Sequence, residues 1–223
     1  MNRRAVGPSW LAPVGMVLSV LVAALLVDPR LQTWAPHWKH PVLDALVGLI
    51  NPIGTGATLL VACVALAVIC HGLGHARLRE TAWLAALSFS CAGITEFAIK
   101  HLVGRARPDA GLASMAMLGP GFRPDVDSFP SGHATSVFAV ATIFASAYPR
   151  VAAPAYALAA AIAVGRVYLE RHYLSDIVAG AMIGILFAAY LWRYRHALPR
   201  WMVLVPVPTT AALTTAEPTT PAA

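Results

Sequence analysis

The sequence predicts an all-α fold, a polytopic membrane bundle of six transmembrane helices. Of the 223 residues, 58% are hydrophobic and only 12% are charged, about half the charged fraction of an average soluble domain. Several apolar runs are about 16 to 20 residues long, enough for a helix to cross the hydrocarbon core of a bilayer. The six tryptophans lie at or near the ends of these runs or in the adjacent loops, where interfacial aromatic side chains are expected.

Six apolar runs are interpreted as spans because charged or turn-forming residues separate them. The runs are Trp10–Val27, Gly54–Leu73, Thr81–Ile99, Ala134–Tyr148, Val151–Val167 and Ile177–Trp192. Asp28-Pro29-Arg30 ends the first run, and residues 31–52 are expected to form a loop with a weakly amphipathic piece around 42–50. Spans four and five are short and alanine-rich, and Pro149-Arg150 between them predicts a tight helical hairpin.

These runs divide the chain into three regions. They are a cytoplasmic N-terminus over 1–9, a six-span membrane domain over 10–197 with its core motifs within 100–176, and a disordered tail over 198–223 that is rich in Pro, Thr and Ala. Arg3 and Arg4 before the first run would also suit a secretory or twin-arginine signal. A retained first span is favoured, because no clear small-x-small cleavage site follows and the run is long for a signal peptide.

The basic residues indicate the orientation in the membrane. With the N-terminus inside, eight of the 16 Lys and Arg residues fall in inner segments and eight in outer segments. Three of the outer ones, Lys100, Arg107 and Arg166, have a chemical role argued below, and without them the inner side holds the excess. This favours both termini in the cytoplasm of a bacterial cell, with the protein in the inner membrane. The basic residues do not form one stripe, so lipid or phosphate is the expected partner and nucleic acid is not.

Three polar stretches interrupt the second half of the chain. They are Lys100-x6-Arg107-Pro108 after span three, Ser128-Phe-Pro-Ser-Gly-His133 before span four, and Arg166 to Asp176 between spans five and six. Two spans separate the second stretch from the third. All three stretches are therefore predicted to emerge on the same face of the membrane, the extracytoplasmic one.

The residue types in these stretches suit a phosphoryl group. Lys100, Arg107 and Arg166 offer three cations for its spread negative charge. Ser131 and Gly132 stand just before a helix start, where free N–H groups and the helix dipole favour an anion. No carboxylate cluster is present to hold magnesium, so the cations are expected to replace a metal, and neither a metal nor a cofactor is predicted.

Two histidines supply the candidate chemistry. His172 and Asp176 are four residues apart, so one helical turn would place them on the same face. An aspartate held against a histidine fixes the imidazole tautomer and raises its basicity. His172 is therefore a candidate nucleophile for covalent phosphoryl transfer, with Asp176 as its partner. His133 is placed to protonate the leaving oxygen.

Together, these motifs resemble those of the type 2 phosphatidic acid phosphatase superfamily, which includes lipid phosphate phosphatases, glucose-6-phosphatase and the vanadium haloperoxidases. The resemblance covers roughly Thr81 to Trp192, and the six-span layout agrees with it. It implies His172 as nucleophile, Asp176 as its partner, His133 as acid, and as phosphate ligands Lys100, Arg107, Arg166, Ser131 and Gly132. One departure is Gly165, where the family's third motif usually has a serine before the arginine, so a hydroxyl near the phosphate is missing.

The predicted function is a metal-independent membrane phosphatase that hydrolyses a lipid phosphate or diphosphate at the outer leaflet through a phosphohistidine. Candidate substrates are phosphatidic acid, phosphatidylglycerol phosphate, undecaprenyl diphosphate and a lipid A phosphate, and the sequence chooses neither among them nor between oligomeric states. Two alternatives stay open. The first is a vanadate-dependent haloperoxidase-like enzyme, and the six predicted spans argue against it. The second is a lipid-binding or transport protein with a vestigial site, and the complete set of candidate site residues argues against it.

Other polar residues are not assigned to the candidate catalytic and phosphate-binding residues. Glu96 is expected to pair with Lys100 one turn along the helix, or else to help shape the site. Arg105, Asp109, Asp125 and Asp127 are interpreted as ordinary loop residues, with Asp127 the one that could reach the site. His71 and His75 have a metal-compatible spacing without a third ligand and are interpreted as interfacial, and Cys63, Cys70 and Cys91 as core residues.

Overall fold

The structure is a computed structural model that describes residues 11–112, 115–123 and 125–198. For residues 11–14 it describes the backbone only. The predicted cytoplasmic N-terminus over 1–9 lies outside the described residues. The predicted tail over 198–223 also lies outside them, apart from Leu198.

The described chain is all-α, as predicted. Its helices are α1 (Leu11–Trp34), α2 (Pro41–Ile50), α3 (Gly56–Gly72), α4 (Ala76–Val103), α5 (Gly132–Ala147), α6 (Ala152–Tyr168) and α7 (Leu174–Tyr194). Short 3-10 turns extend or join several of them. Among the described residues, the one β-type pairing is an isolated antiparallel bridge between Arg105 and Met117.

The helices make this a multi-pass membrane protein, although the predicted count of six spans stays a prediction. Each predicted span coincides with one of α1, α3, α4, α5, α6 and α7. By length and composition, four helices of the described chain could cross a membrane, and a fifth span results if α2 and α3, bent by 60°, are taken as one. Helix α5 has 16 residues, fewer than the roughly 20 that a span usually needs.

Two expectations about the N-terminal third were wrong. The first helix does not stop at Val27 but continues to Trp34 with Pro29 inside it, because Asp28 is buried against polar partners and does not mark a solvated end. Residues 31–52 are not mainly loop, since α2 occupies Pro41–Ile50. Pro41 stands at the first helical position, where its missing N–H costs nothing, and the Nδ1 atom of His40 accepts the N–H of Val42 at 3.3 Å.

Helix α5 lies at the centre of the bundle and packs against α3, α4, α6 and α7. Its contact with α7 is close because α7 carries Gly180 and Gly184 there. A Cβ atom at Gly184 would overlap the carbonyl oxygen of Thr135 and lie 2.8 Å from the backbone nitrogen of Ala139. The N–H of Ser131 donates to the carbonyl of Asp176 at 3.0 Å, so the first turns of α5 and α7 lie side by side.

The apolar core confirms the interpretation of the cysteines as packing residues. Cys63 lies in a cluster with Leu84, Ile143 and Ala188. Cys70 is also buried and Cys91 is half-buried, and all three are free thiols.

Candidate active site

The three polar stretches meet at one end of the bundle, as the number of spans between them predicts. Helices α4 and α6 end there, and α5 and α7 begin there. Gly104 ends α4 in the left-handed region with φ +57°, a conformation that glycine adopts without strain. Its N–H donates to the carbonyl of Lys100 at 3.0 Å. This turn sends the next residue, Arg105, into the protein interior.

His172 is buried in the short loop between α6 and α7, with 3% of its surface exposed. Its Nδ1 atom lies 2.8 Å from the carbonyl oxygen of Ser128. Because a carbonyl oxygen can only accept, Nδ1 carries the proton and Nε2 keeps its lone pair. The fixed tautomer leaves Nε2 as the ring nitrogen with an available lone pair.

The structure brings His172 and Asp176 next to each other, but not on one helical face as expected. Helix α7 begins at Leu174, so His172 precedes the helix and does not share a helical face with Asp176. The Nδ1 atom lies 3.7 Å from Oδ2 of Asp176, an ion-pair distance and not a hydrogen bond. The carboxylate of Asp176 is already engaged, since Oδ2 accepts from the Ser128 hydroxyl at 2.5 Å and from the N–H of Tyr173 at 2.8 Å.

The surroundings hold the pKa of His172 below its usual value. Burial is the main cause, because it disfavours the charged imidazolium. Asp176 acts in the opposite direction, and the positive charges of Arg166 and Lys100 lower the pKa further. The imidazole is therefore neutral near pH 7, as a nucleophile requires.

Arg105 was wrongly interpreted as an ordinary loop residue, since its side chain is 0% exposed. Its Nη1 atom donates at 2.6 Å both to Oδ1 of Asp176 and to the hydroxyl of Ser175. The guanidinium also stacks over the Tyr173 ring, 4.0 Å from the ring centroid. A buried arginine of this kind orients the carboxylate that it contacts.

The other partner of Arg105 is Asp28 of α1, which is 1% exposed. Oδ2 of Asp28 accepts from Nη2 of Arg105 at 3.0 Å, and its Oδ1 accepts the N–H of Ser175 at 3.0 Å. The cluster of Asp28, Arg105 and Asp176 therefore has two carboxylates and one guanidinium, which leaves one net negative formal charge beside His172. The sequence did carry a signal for this cluster, because a carboxylate next to an apolar run needs a buried partner.

Two of the predicted phosphate-binding cations, Arg107 and Lys100, lie next to Asp127. Arg107 donates to its carboxylate through Nε at 2.7 Å and Nη2 at 2.8 Å, and Lys100 lies 4.0 Å from the same carboxylate. Burial acts to raise the pKa of Asp127, but the hydrogen bonds and charge of Arg107 and the charge of Lys100 outweigh it and hold the pKa below its usual value. Asp127 thus belongs to the site, the possibility that the sequence left open.

Glu96 fits both of the interpretations that the sequence left open. Its Oε1 atom lies 2.7 Å from Nζ of Lys100, the predicted pair one turn apart. The same carboxylate also lies 3.3 Å from the position that a Cβ atom on Gly132 would take, so it lies against the first turn of α5. The two other loop aspartates, Asp109 and Asp125, form ion pairs with Arg171 at 2.6 and 4.0 Å.

Several buried polar atoms near His172 have no hydrogen-bond partner within the described chain. Among them are Nε of Arg105, Oγ of Ser131, Nε2 of His133 and Nε of Arg166. Arg166 does donate through Nη1 to the side-chain oxygen of Asn51 at 3.0 Å. His133 lies within the electrostatic range of Arg166, His172, Lys100 and Arg107. Buried polar atoms normally have partners, so these donors and acceptors are typical of a site that binds a polar ligand.

The histidine pair at the other end of the bundle forms no such site. Nδ1 of His71 lies 3.1 Å from Nη1 of Arg79, so this histidine is engaged by a cation. Within the described ranges, no group of three or more His, Cys, Asp or Glu side chains is arranged to hold a metal ion.

The comparison with known families defines the class of protein. The PAP2 superfamily matches residues 81–200, more than half of the chain, so this protein belongs to that superfamily. The predicted resemblance is confirmed. The match begins after Asp28, so the carboxylate that α1 contributes lies outside it.

Particular relatives are phosphatases. The chain is 30% identical over 153 residues, 61% of its own length, to a lipid A 1-phosphatase of Rhizobium etli, and it spans 64% of the length of that protein. Two crystal structures share the fold at 22% sequence identity. A PAP2-type phosphatidylglycerolphosphate phosphatase of Bacillus subtilis superposes with a TM-score of 0.63, covering 85% of this chain and 98% of the other. LpxE of Aquifex aeolicus superposes with a TM-score of 0.61, covering 75% of this chain and 96% of the other.

Proposed function

We propose that the protein is an integral membrane phosphatase that removes a phosphoryl group from a lipid phosphate or lipid diphosphate. The observation that carries the proposal is the bond between Nδ1 of His172 and the Ser128 carbonyl at 2.8 Å. It leaves Nε2 of a buried, neutral imidazole as a nucleophile beside several cations. The relative named as a lipid A 1-phosphatase supports the same class of reaction.

The first step forms a phosphohistidine. Nε2 of His172 attacks phosphorus, and the bond from phosphorus to the lipid oxygen breaks. His133 gives its proton to that leaving oxygen, so the lipid departs as an alcohol, or as a monophosphate from a diphosphate. The negative charge of the bound phosphate favours the protonated form of His133 before this step.

The second step returns the enzyme to its starting state. Water attacks phosphorus, His133 takes one of the water protons, and the bond to Nε2 breaks to release inorganic phosphate. Lys100, Arg107 and Arg166 neutralise the phosphoryl oxygens throughout, together with Ser131 and the N–H groups at the start of α5 around Gly132. The negative cluster that includes Asp176 stabilises the positive charge on the phosphorylated imidazole.

The finer assignments are part of the same proposal. The site faces the extracytoplasmic side of a bacterial inner membrane, both termini are cytoplasmic, and the substrate is a lipid of the outer leaflet. A buried nucleophile with its cations in place supports an active phosphatase over a vestigial lipid-binding protein. Membrane helices support it over a soluble haloperoxidase-like enzyme.

The test is phosphate release by the purified protein in detergent, with EDTA present, from phosphatidic acid, phosphatidylglycerol phosphate, undecaprenyl diphosphate and lipid A. We expect release from at least one lipid, inhibition by orthovanadate, and no release by His172→Ala. Activity that disappears with EDTA and returns with magnesium would contradict the metal-independent mechanism. Release from none of the lipids would contradict the proposed function.

A further inference from the structure

We propose that an apolar groove between α3, α5 and α6 binds a hydrocarbon chain of the phosphorylated lipid and makes the enzyme selective for chain length. This inference rests on the proposed function. The groove has a volume of about 430 Å³ and opens on the side of the bundle. All of its lining residues are apolar, among them Leu59 of α3, Phe144 of α5 and Ala155 of α6.

The upper end of the groove lies directly beneath the candidate site. Val137 lines the groove one turn after His133 on α5, and Ile162 lines it one turn before Arg166 on α6, so each residue lies on the same helical face as a site residue. Gly54 connects the two regions. A Cβ atom at Gly54 would lie 3.0 Å from Cδ2 of His133 and would overlap Ile162.

The groove then runs along α6 away from the site. Lining residues extend from Ile162 back to Pro154, which corresponds to about 12 Å of helix. A phosphate held by Arg166 and His133 would therefore place its attached chain at the mouth of a continuous apolar surface. Because the chain comes from the bilayer and not from water, such a surface distinguishes chains by packing contacts and shape.

A hydrocarbon chain fits this groove better than a protein segment does. An extended peptide would need partners for its backbone N–H and C=O groups, and the lining side chains offer none. The mouth beside the cations also favours a chain attached to an anionic headgroup.

Ala155 provides the test. This half-buried residue lines the lower part of the groove and lies about 16 Å along α6 from Arg166, beyond the reach of a short chain. We expect Ala155→Phe to lower kcat/KM for a dipalmitoyl lipid phosphate by about 10-fold or more. The value for the dihexanoyl lipid should stay within about twofold. The control is Ala157→Phe, on the exposed face of α6 outside the groove, which should change neither value.

A second measurement remains informative if Ala155→Phe does not fold. A palmitoyl lipid phosphate with a diazirine in the middle of its chain is bound to His172→Ala and irradiated. Crosslinks are expected on the lining residues Pro154, Ala155 and Leu158 of α6, on Val151 just before it, or on Phe144 of α5. Excess dipalmitoyl phosphatidic acid should suppress them more strongly than dipalmitoyl phosphatidylcholine does.

The outcomes separate the two proposals. Equal losses for both chain lengths, no loss for either, or crosslinks that phosphatidylcholine suppresses equally well would show that only bulk lipid occupies the groove. A wild-type protein that releases phosphate from none of the four lipids named above would refute the proposed function, and the inference about the groove would fail with it.

Discussion

At the scale of single residues, the charges around His172 decide its reactivity. Asp176 of α7 and Asp127 of the loop between α4 and α5 face it with negative charge. Arg166 of α6 and Lys100 of α4 face it with positive charge. Burial and the two cations hold its pKa below the usual value of about 6.5. Protonation blocks the nucleophile, so activity is lost as the pH falls through this lowered pKa. At higher pH the first step is limited instead by loss of the proton that His133 donates.

This balance predicts the effect of removing one cation. Lys100→Ala should raise the pKa of His172, because one positive charge that disfavours the imidazolium is gone. The acid limb of the kcat/KM profile should then move to higher pH, apart from any loss of maximal rate. A profile measured with a lipid phosphate substrate checks this. An unchanged or lower midpoint would show that His172 does not control the acid limb.

Removing the negative charge of Asp28 should have the opposite effect. This residue lies outside the region that the superfamily matches. Asp28→Asn keeps an oxygen that can accept the N–H of Ser175, but it removes one negative charge from the cluster of Asp28, Arg105 and Asp176. The pKa of His172 should fall, and the acid limb should move to lower pH.

The matched control for Asp28 is Asp44→Asn. Asp44 accepts the hydroxyl of Tyr168 at 2.7 Å and does not contact His172. Its removal should leave the acid limb unchanged. If Asp28→Asn lowered the rate without moving the pH profile, its role would be structural only.

At the scale of elements, the sequence predicted the positions of six helices. It indicated α2 only as a weakly amphipathic piece around 42–50, and it missed the continuation of α1. Apolar runs are local signals, so they predict where a helix lies without its neighbours. Asp28-Pro29-Arg30 has the composition of a helix end. That helix continues because Arg105 is available to Asp28, a residue 77 positions away in the sequence, which no local pattern reveals.

Close packing of α5 against α7 predicts a sharp difference between two glycines. Gly184→Ala should destabilise the protein by about 1–3 kcal/mol, because its Cβ atom would overlap the α5 backbone. Gly48→Ala on α2 meets nothing within 4 Å and should be neutral or stabilising by up to about 1 kcal/mol. Thermal unfolding in detergent compares the two variants. Equal melting temperatures would contradict the close helix contact.

At the scale of the whole molecule, three motifs that are far apart in the sequence lie at one end of the helix bundle, because an even number of spans separates the second from the third. Lys100, Arg107, His133, Arg166 and His172 belong to short motifs, so the sequence could predict them together, and their chemical roles remain predictions. The contacts of Arg105 and Asp28 could not be predicted in this way. They join residues 71, 77 and 147 positions apart, and only the packing of α1 and α7 brings them together.

The orientation of the bundle predicts which loops meet the cell exterior. After the three native cysteines are replaced, Leu112→Cys near the candidate site should react with a membrane-impermeant thiol reagent in intact cells. His75→Cys, exposed at the opposite end, should react only after the cells are permeabilised. The reverse pattern would invert the proposed topology and place the substrate in the inner leaflet.

The central claim is that His172 forms the covalent intermediate, and trapping that intermediate tests it most directly. Labelled p-nitrophenyl phosphate is mixed with the protein and quenched in alkali, where phosphohistidine survives, and the labelled peptide is mapped. His133→Ala should accumulate label on His172, because this leaving group needs no proton whereas the attacking water still needs a base. His172→Ala should carry no label. Label that persists in His172→Ala, or that maps to His133, would contradict the account.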